Sequence, residues 1–302
     1  MHLSSIKAWF DNSLVTKDLD NSKNINWLRC VPFIILHLSI FAGFKLPLTF
    51  AGAMLCIISY LIRMFAITAF FHRYFAHKTF KTSKAIEIIF AVIGTASGQR
   101  GPIWWASHHR AHHKFTDTNL DAHTPKHKGF IHSHMLWFMC NKNFKTQTQY
   151  VKDLDKKNHL KKIDRFDGII PLIYLVLLCL LGYYCQHFTS IQLTPATSVY
   201  WGFIVSTLFL IHATFSINSF GHKFGKQDYQ TNDESRNNWF LALITLGEGW
   251  HNNHHHWPIS ARQGFNWKQI DATYGCLLLM QKLNLINSIK NIPKAKIFEK
   301  KI

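Results

Sequence analysis

Glutamate is the scarcest charged residue in this sequence, with four in 302 positions: Glu87, Glu234, Glu248 and Glu299. A carboxylate-bridged di-metal helical bundle needs four glutamates and two Glu-x-x-His repeats. That spacing occurs once, at Glu248-Gly-Trp-His251, so the soluble bundle is excluded. Acidic residues together number 16 against 34 Lys and Arg, a formal net charge of +18. A surplus of this size calls for an anionic neighbour, either nucleic acid or an acidic membrane face. The six cysteines (30, 56, 140, 179, 185 and 276) form no CxxC pair. That argues against an iron–sulfur cluster, a zinc ribbon or a small disulfide scaffold. The N-terminal stretch is polar as far as Trp27, so a cleavable signal peptide is not expected. Disorder is excluded by 25 Phe and 10 Trp.

What is abundant is unevenly placed. A mean hydropathy of −0.02 averages a few long apolar runs with a polar remainder. The runs cover 27–44, 47–71 (interrupted by Arg63), 169–185 and 199–217. Each is close to the roughly 17–25 residues a bilayer-spanning helix requires. Four spans in two hairpins are therefore expected; four buried helices of a soluble protein are the alternative, and such helices rarely lack a polar stripe. The connectors 45–46 and 186–198 hold one Lys, whereas 32 of the 34 basic residues lie in the N-terminal segment, 72–167 and the stretch from 218 onward. The positive-inside rule places these segments and both termini in the cytosol. The basic excess then faces anionic headgroups, and nucleic acid is not expected because no recognition motif accompanies the charge. The run 85–96 is too short to span and is expected at the interface or under the cytosolic part.

Histidine occurs 20 times. Three clusters stand out: His72-Arg-Tyr-Phe-Ala-His77, His109-Arg-Ala-His112-His113 and His251-Asn-Asn-His254-His255. Positions i, i+3 and i+4 share a helix face, so the second and third clusters each present three imidazoles in one direction. His72 and His77 are five apart and cannot share a face of a straight α-helix; either the helix ends between them or they serve different metals. His108 and His256 fall about 100° and 140° off the shared faces and are expected beside the ligands or in solvent. His2, His37, His159, His187 and His212 are read as lone polar residues. Eight candidate ligands exceed the four of a closed zinc site, so two metals are expected. Imidazole suits Zn, Cu, Fe and Ni.

At these boxes the chain resembles the membrane fatty acyl desaturases, in particular the Δ9 acyl-CoA (stearoyl-CoA) type. The likeness runs from about Tyr60 to Pro258. It includes Gly-Gln-Arg-Gly-Pro (98–102), Trp105, Thr116-Asp117-Thr118, His132-Ser-His134 before Trp137, and Gly247-Glu-Gly-Trp-His251. The resemblance implies an all-α integral membrane fold, four transmembrane helices capped by a cytosolic helical domain (72–166 and 218–302). The whole chain, 1–302, is then one desaturase domain. It implies two histidine-ligated ferrous ions with O2 as co-substrate and two electrons from an external donor. It adds His222 to the ligands and Asn218 as a water-holding neighbour, through Asn218-Ser-Phe-Gly-His222. Gln99, Trp105 and Thr214 match the bend of an acyl tunnel, and Tyr60 and Met64 its far end, hinting at a C16 or mixed C16/C18 preference. Asp117 and Asp121 are candidates to orient ligand imidazoles.

One departure concerns the carrier. Where the animal enzymes hold CoA phosphates, Trp137-Phe-Met-Cys-Asn141-Lys142 keeps one Lys and loses an Arg. Acyl-CoA is the expected carrier, with an acyl carrier protein or an intact lipid as alternatives. No His-Pro-Gly-Gly haem motif is present, so the donor is a separate ferredoxin-, rubredoxin- or cytochrome b5-like protein. The resemblance implies a bacterial inner membrane, or endoplasmic reticulum if the source is eukaryotic. Two other readings compete: an acyl or alkane hydroxylase on the same scaffold, and a histidine-rich divalent-metal transporter. A transporter would place its ligands inside the spans.

Overall fold

The computed structural model describes residues 6–14, 24–293 and 296–297; His2 lies outside them. The first apolar run forms α1 (Trp27–Leu38), which tightens into a 3-10 turn over Ser39–Gly43. The other three runs form helices long and apolar enough to cross a membrane: α2 (Phe50–Ala76), α5 (Ile169–Phe188) and α6 (Pro195–His222). Between α2 and α5 lie α3 (Lys84–Thr95) and α4 (Pro102–Phe115). After α6 come α7 (Trp239–Ile244), α8 (His251–His256) and α9 (Ala272–Lys282). One two-residue antiparallel pair, β1 (Lys81–Thr82) with β2 (Ile286–Asn287), ties the chain after α2 to the segment after α9.

The Trp27–Gly43 stretch is apolar but shorter than the other three. Gly43 explains the tight end: a Cβ there would sit 1.8 Å from the Tyr200 ring of α6, so the two helices meet at the bare backbone. The α2 helix begins where the Thr49 hydroxyl accepts from the Gly52 N–H, 3.1 Å. It does not stop at the edge of the apolar run but continues through the first histidine cluster, with π-type winding over Ala66–Ala76. Arg63 lies inside it, 2% exposed. Its five N–H groups reach the Ser59 carbonyl and hydroxyl, the Ala96 carbonyl, and the Thr207 and Ser206 hydroxyls at 2.6–3.2 Å. That saturation is what permits a guanidinium among apolar helices.

His37 and His212 are not lone polar residues. Their Nε2 atoms lie 3.0 Å apart, and His212 Nδ1 is 3.0 Å from His134 Nε2, a chain linking α1, α6 and the turn that carries His134. In apolar surroundings an imidazole nitrogen needs such a partner. His159 is likewise engaged, its Nε2 2.6 Å from Glu87 on α3. The α3 helix buries Glu87, Ala91 and Gly94 against α2 and leaves Ile89 exposed. Its close approach depends on Gly94, where a Cβ would meet the Phe71 ring at 2.3 Å.

The start of α4 fixes the second histidine cluster. Its N-cap, Gly101, has no side chain to receive the first N–H groups, and Pro102 opens the helix. Asp164 supplies the missing acceptor from a distance: Oδ1 takes the N–H groups of Ile103 and Trp104, both at 2.9 Å. Asp167 takes the Gly101 N–H at 3.0 Å. Asp164→Ala therefore removes a cap and is expected to cost about 1–2 kcal/mol, read as a lowered thermal unfolding midpoint. Asp164→Asn keeps the acceptor and should cost less.

Candidate metal centre and adjoining cavity

The π winding of α2 resolves the five-residue spacing. In such a stretch backbone bonds reach one residue further than in an α-helix, so residues five apart stack on one face. His77 N–H donates to the His72 carbonyl at 3.1 Å, and both side chains enter the same cluster. His72, His77, His109, His113 and His254 bring their ligand atoms within 4.8 Å of one another. His112, His222, His251 and His255 form a second such group. All eight box histidines and His222 are thus gathered into two adjoining sets, drawn from α2, α4, the end of α6 and α8.

Within the sets, Nε2 atoms face each other: His77–His109 at 2.7 Å, His254–His113 at 2.9 Å, His72–His254 and His251–His222 at 3.0 Å. The opposite nitrogens are held by carboxylates. His112 Nδ1 lies 3.0 Å from Asp121, His222 Nδ1 3.0 Å from Asp117, and His255 Nδ1 2.9 Å from Asp233; His72 Nδ1 contacts Glu248. A carboxylate only accepts, so in the neutral ring each of these Nδ1 atoms carries the proton and each Nε2 offers a lone pair inward. Burial, reinforced by neighbouring imidazoles, pushes His109, His113, His251 and His254 well below the ordinary histidine range. Neutral imidazole is the metal-binding form. Asp117, Asp121 and Asp233 are held below the usual carboxylate range: burial raises them, but their histidine contacts outweigh it. The buried Nε2 of His255 has no hydrogen-bond partner and belongs to the four-histidine group. Converging lone pairs, protons fixed outside and an orphaned nitrogen fit a bound metal cation in each set.

The buttressing is unequal. Three of the four histidines in the second set rest on carboxylates whose donors are neutral, among them the Thr124 hydroxyl to Asp117 and the Ser235 N–H to Asp233. In the five-histidine set, among the described residues, only His72 has a carboxylate, and Glu248 is shared with Arg73 at 3.0 Å. Asp233 and Glu248 are functional contacts that the sequence reading missed. Glu248 carried a signal in its spacing to His251, but its partner is His72, 176 positions earlier; Asp233 sits in a loop with no periodicity to mark it. A further acid–histidine set, His112, Asp121 and His123, overlaps the second group.

Beside the centre lies a cavity of about 600 Å3. Gln99, Trp105, Thr214 and Asn218 line it, as do His108 and His109. His108 is buried rather than solvent-facing, its Nε2 3.1 Å from the Lys145 carbonyl. Three expected substrate residues lie elsewhere. Met64 is fully buried in the apolar core, Tyr60 packs against that core with its hydroxyl on the Ile244 carbonyl, and Lys142 is not part of the wall. The α4 helix joins cavity to centre, since Trp105 and His109 are one turn apart with rings 5.0 Å apart and nearly parallel.

Comparison with known proteins agrees with this geometry. The family model described as fatty acid desaturase matches residues 46–275. An acyl-CoA 5-desaturase of Anemone leveillei is 35% identical over 90% of this chain and 84% of its own length. An sn-1 stearoyl-lipid 9-desaturase of Synechocystis is 38% identical, covering 76% of this chain and 68% of its own. An sn-2 palmitoyl-lipid 9-desaturase of Nostoc is 30% identical over 92% and 95%. A histidine-rich centre able to hold metal, set among apolar helices long enough to cross a membrane and matched over most of its length, places this chain in the fatty acid desaturase family.

Proposed function

We propose that the chain is an O2-dependent desaturase that places a cis double bond at Δ9 in a saturated C16 or C18 acyl chain. It would use two ferrous ions and two electrons from a separate donor protein. The observation that carries this reading is the double membership of His109, which belongs to the five-histidine set and also lines the apolar cavity. A methylene held against Trp105 is therefore beside the metal centre. The nine histidines are the ligands in this reading, and Asp117, Asp121, Asp233 and Glu248 keep four of those imidazoles (His222, His112, His255 and His72) in the tautomer that binds. Asn218, which lines the cavity four residues before His222, holds a water in this reading.

The balance is one –CH2–CH2– unit, O2, two electrons and two protons giving –CH=CH– and two waters. Iron, when bound, supplies the oxidising power that side chains lack. The chain's own groups hold the substrate and exclude water: Gln99, Trp105 and Thr214 fix which methylenes lie under His109. We read α1 with its 3-10 extension as a fourth span, completing two hairpins. Both termini and the cap are then cytosolic, and 1–302 is one domain. Membrane spans bounding the cavity favour this reading over a transporter, since the histidines cluster beyond the spans' apolar centres.

Expression in a strain lacking unsaturated fatty acids should give cis-Δ9 C16 and C18 products by gas chromatography–mass spectrometry. His109→Ala should give none, and hydroxylated products would move the assignment to a hydroxylase. Asp117→Asn and Asp233→Asn should each lower metal affinity about 10–100-fold, seen as metal content after dialysis against a graded chelator. Met64→Ala should destabilise the protein by about 2–5 kcal/mol yet leave the C16/C18 product ratio unchanged, because Met64 is not on the cavity wall.

A further inference from the structure

The cavity does not stop at the centre. Away from Trp105 its wall is built by one face of α1 (Pro32, Phe33 and Leu36) and one face of α5 (Pro171, Leu172 and Leu175). Spacings of three and four residues keep each trio on a single side of its helix. Ile35 of α1 and Leu172 of α5, both on this wall, are 58% and 46% exposed. Wall residues this accessible mark an opening of the cavity, and this one lies between α1 and α5, where a bilayer would surround it.

The polar end of the opening carries a small, definite charge. Among the described residues, the charged side chains on the wall are Arg29, Arg100 and Asp167, a net charge of +1. Arg29 lies over the Phe144 ring at 4.7 Å and donates to the Ala8 carbonyl at 2.9 Å. Arg100 lies over Trp104 at 5.1 Å and is anchored by Asp167 at 2.9 Å. The pair is held in place by aromatic faces and retains guanidinium N–H groups for a ligand. One net positive charge suits one phosphodiester. A nucleotide thioester with several phosphates would need more cations, and Lys142, the residue the resemblance offered for them, is off this wall.

We propose that the acyl chain enters sideways from the bilayer between α1 and α5 while still esterified to a phospholipid, whose phosphate rests at Arg29 and Arg100. This rests on the desaturase reading for its purpose but not for its test. The shared chemistry is an acyl chain bearing an anionic phosphate ester. A membrane lipid presents it from within the bilayer and an acyl-CoA from water.

The test uses the full chain in phosphatidylcholine vesicles. These carry phosphatidylglycerol with a diazirine midway along its acyl chain; a parallel set receives the same diazirine chain as acyl-CoA. After irradiation, labelled peptides are mapped by mass spectrometry. The expected result is labelling of Phe33, Leu175 and Thr214 by the lipid probe, with the acyl-CoA probe weaker. Ile35→Trp and Leu172→Trp should cut that labelling roughly ten-fold. Ile173→Trp, equally exposed on α5 but off the wall, should not. Arg29→Gln should weaken labelling by phosphatidylglycerol and spare that by a neutral diazirine diacylglycerol. Lipid labelling confined to the outward Val176 and Leu180, stronger cavity labelling by acyl-CoA, or indifference to Ile35→Trp would each overturn the proposal. Labelling requires no turnover, so a chain that takes lipid here and desaturates nothing would refute the proposed function while leaving this inference standing.

Discussion

The structure depends on a conflict between imidazoles. Nine histidines point ring nitrogens at two small volumes, with Nε2 pairs at 2.7–3.0 Å. Neutral rings in that arrangement set lone pair against lone pair, and protonated rings would set charge against charge in a buried space. A cation in each volume removes the conflict, provided the rings remain neutral and correctly oriented. The carboxylates around the two sets serve that condition. Asp117, Asp121, Asp233 and Glu248 stand behind four of the rings, and each is itself tied down by hydroxyls, backbone N–H groups or Arg73.

The same demand explains the local backbone. A regular α-helix would have sent His72 and His77 in different directions, whereas the π winding of α2 brings both to one set. The distant capping of α4 by Asp164 and Asp167 is a comparable device, because Gly101 lets the chain pass close to Asp164 but cannot cap the helix. A side chain at Gly101 would lie 2.6 Å from the Asp164 backbone, so cap and close approach come as a pair.

The long apolar runs were legible in the sequence because a span needs an unbroken stretch, and three of them became α2, α5 and α6. The i, i+3, i+4 histidines were legible because helical periodicity is local. What escaped was contact between distant positions. Glu248 belongs to His72, Asp233 to His255, and His37 to His212, pairings that no local period encodes. His77 was legible as a ligand, but its sharing one set with His72 escaped for a different reason: π winding is a departure from the periodicity that sequence reading assumes. Met64 and Tyr60 were placed by resemblance at a tunnel end, whereas the chain packs them into the core around Phe70 and Phe71.

A metal centre of imidazoles and carboxylates has little in common with an apolar cavity, yet the two must touch. They do so along α4, where Trp105 and His109 occupy successive turns and stack with ring centroids 5.0 Å apart. Trp105 also meets Phe71 at 6.1 Å, so the indole stands between the apolar packing of α2 and the first ring of the centre. The boundary between lipid-like and metal-binding surroundings is therefore one helical turn thick. Because α4 is also the helix whose start rests on Asp164 and Asp167, the placement of that boundary is set at the far end of the same helix.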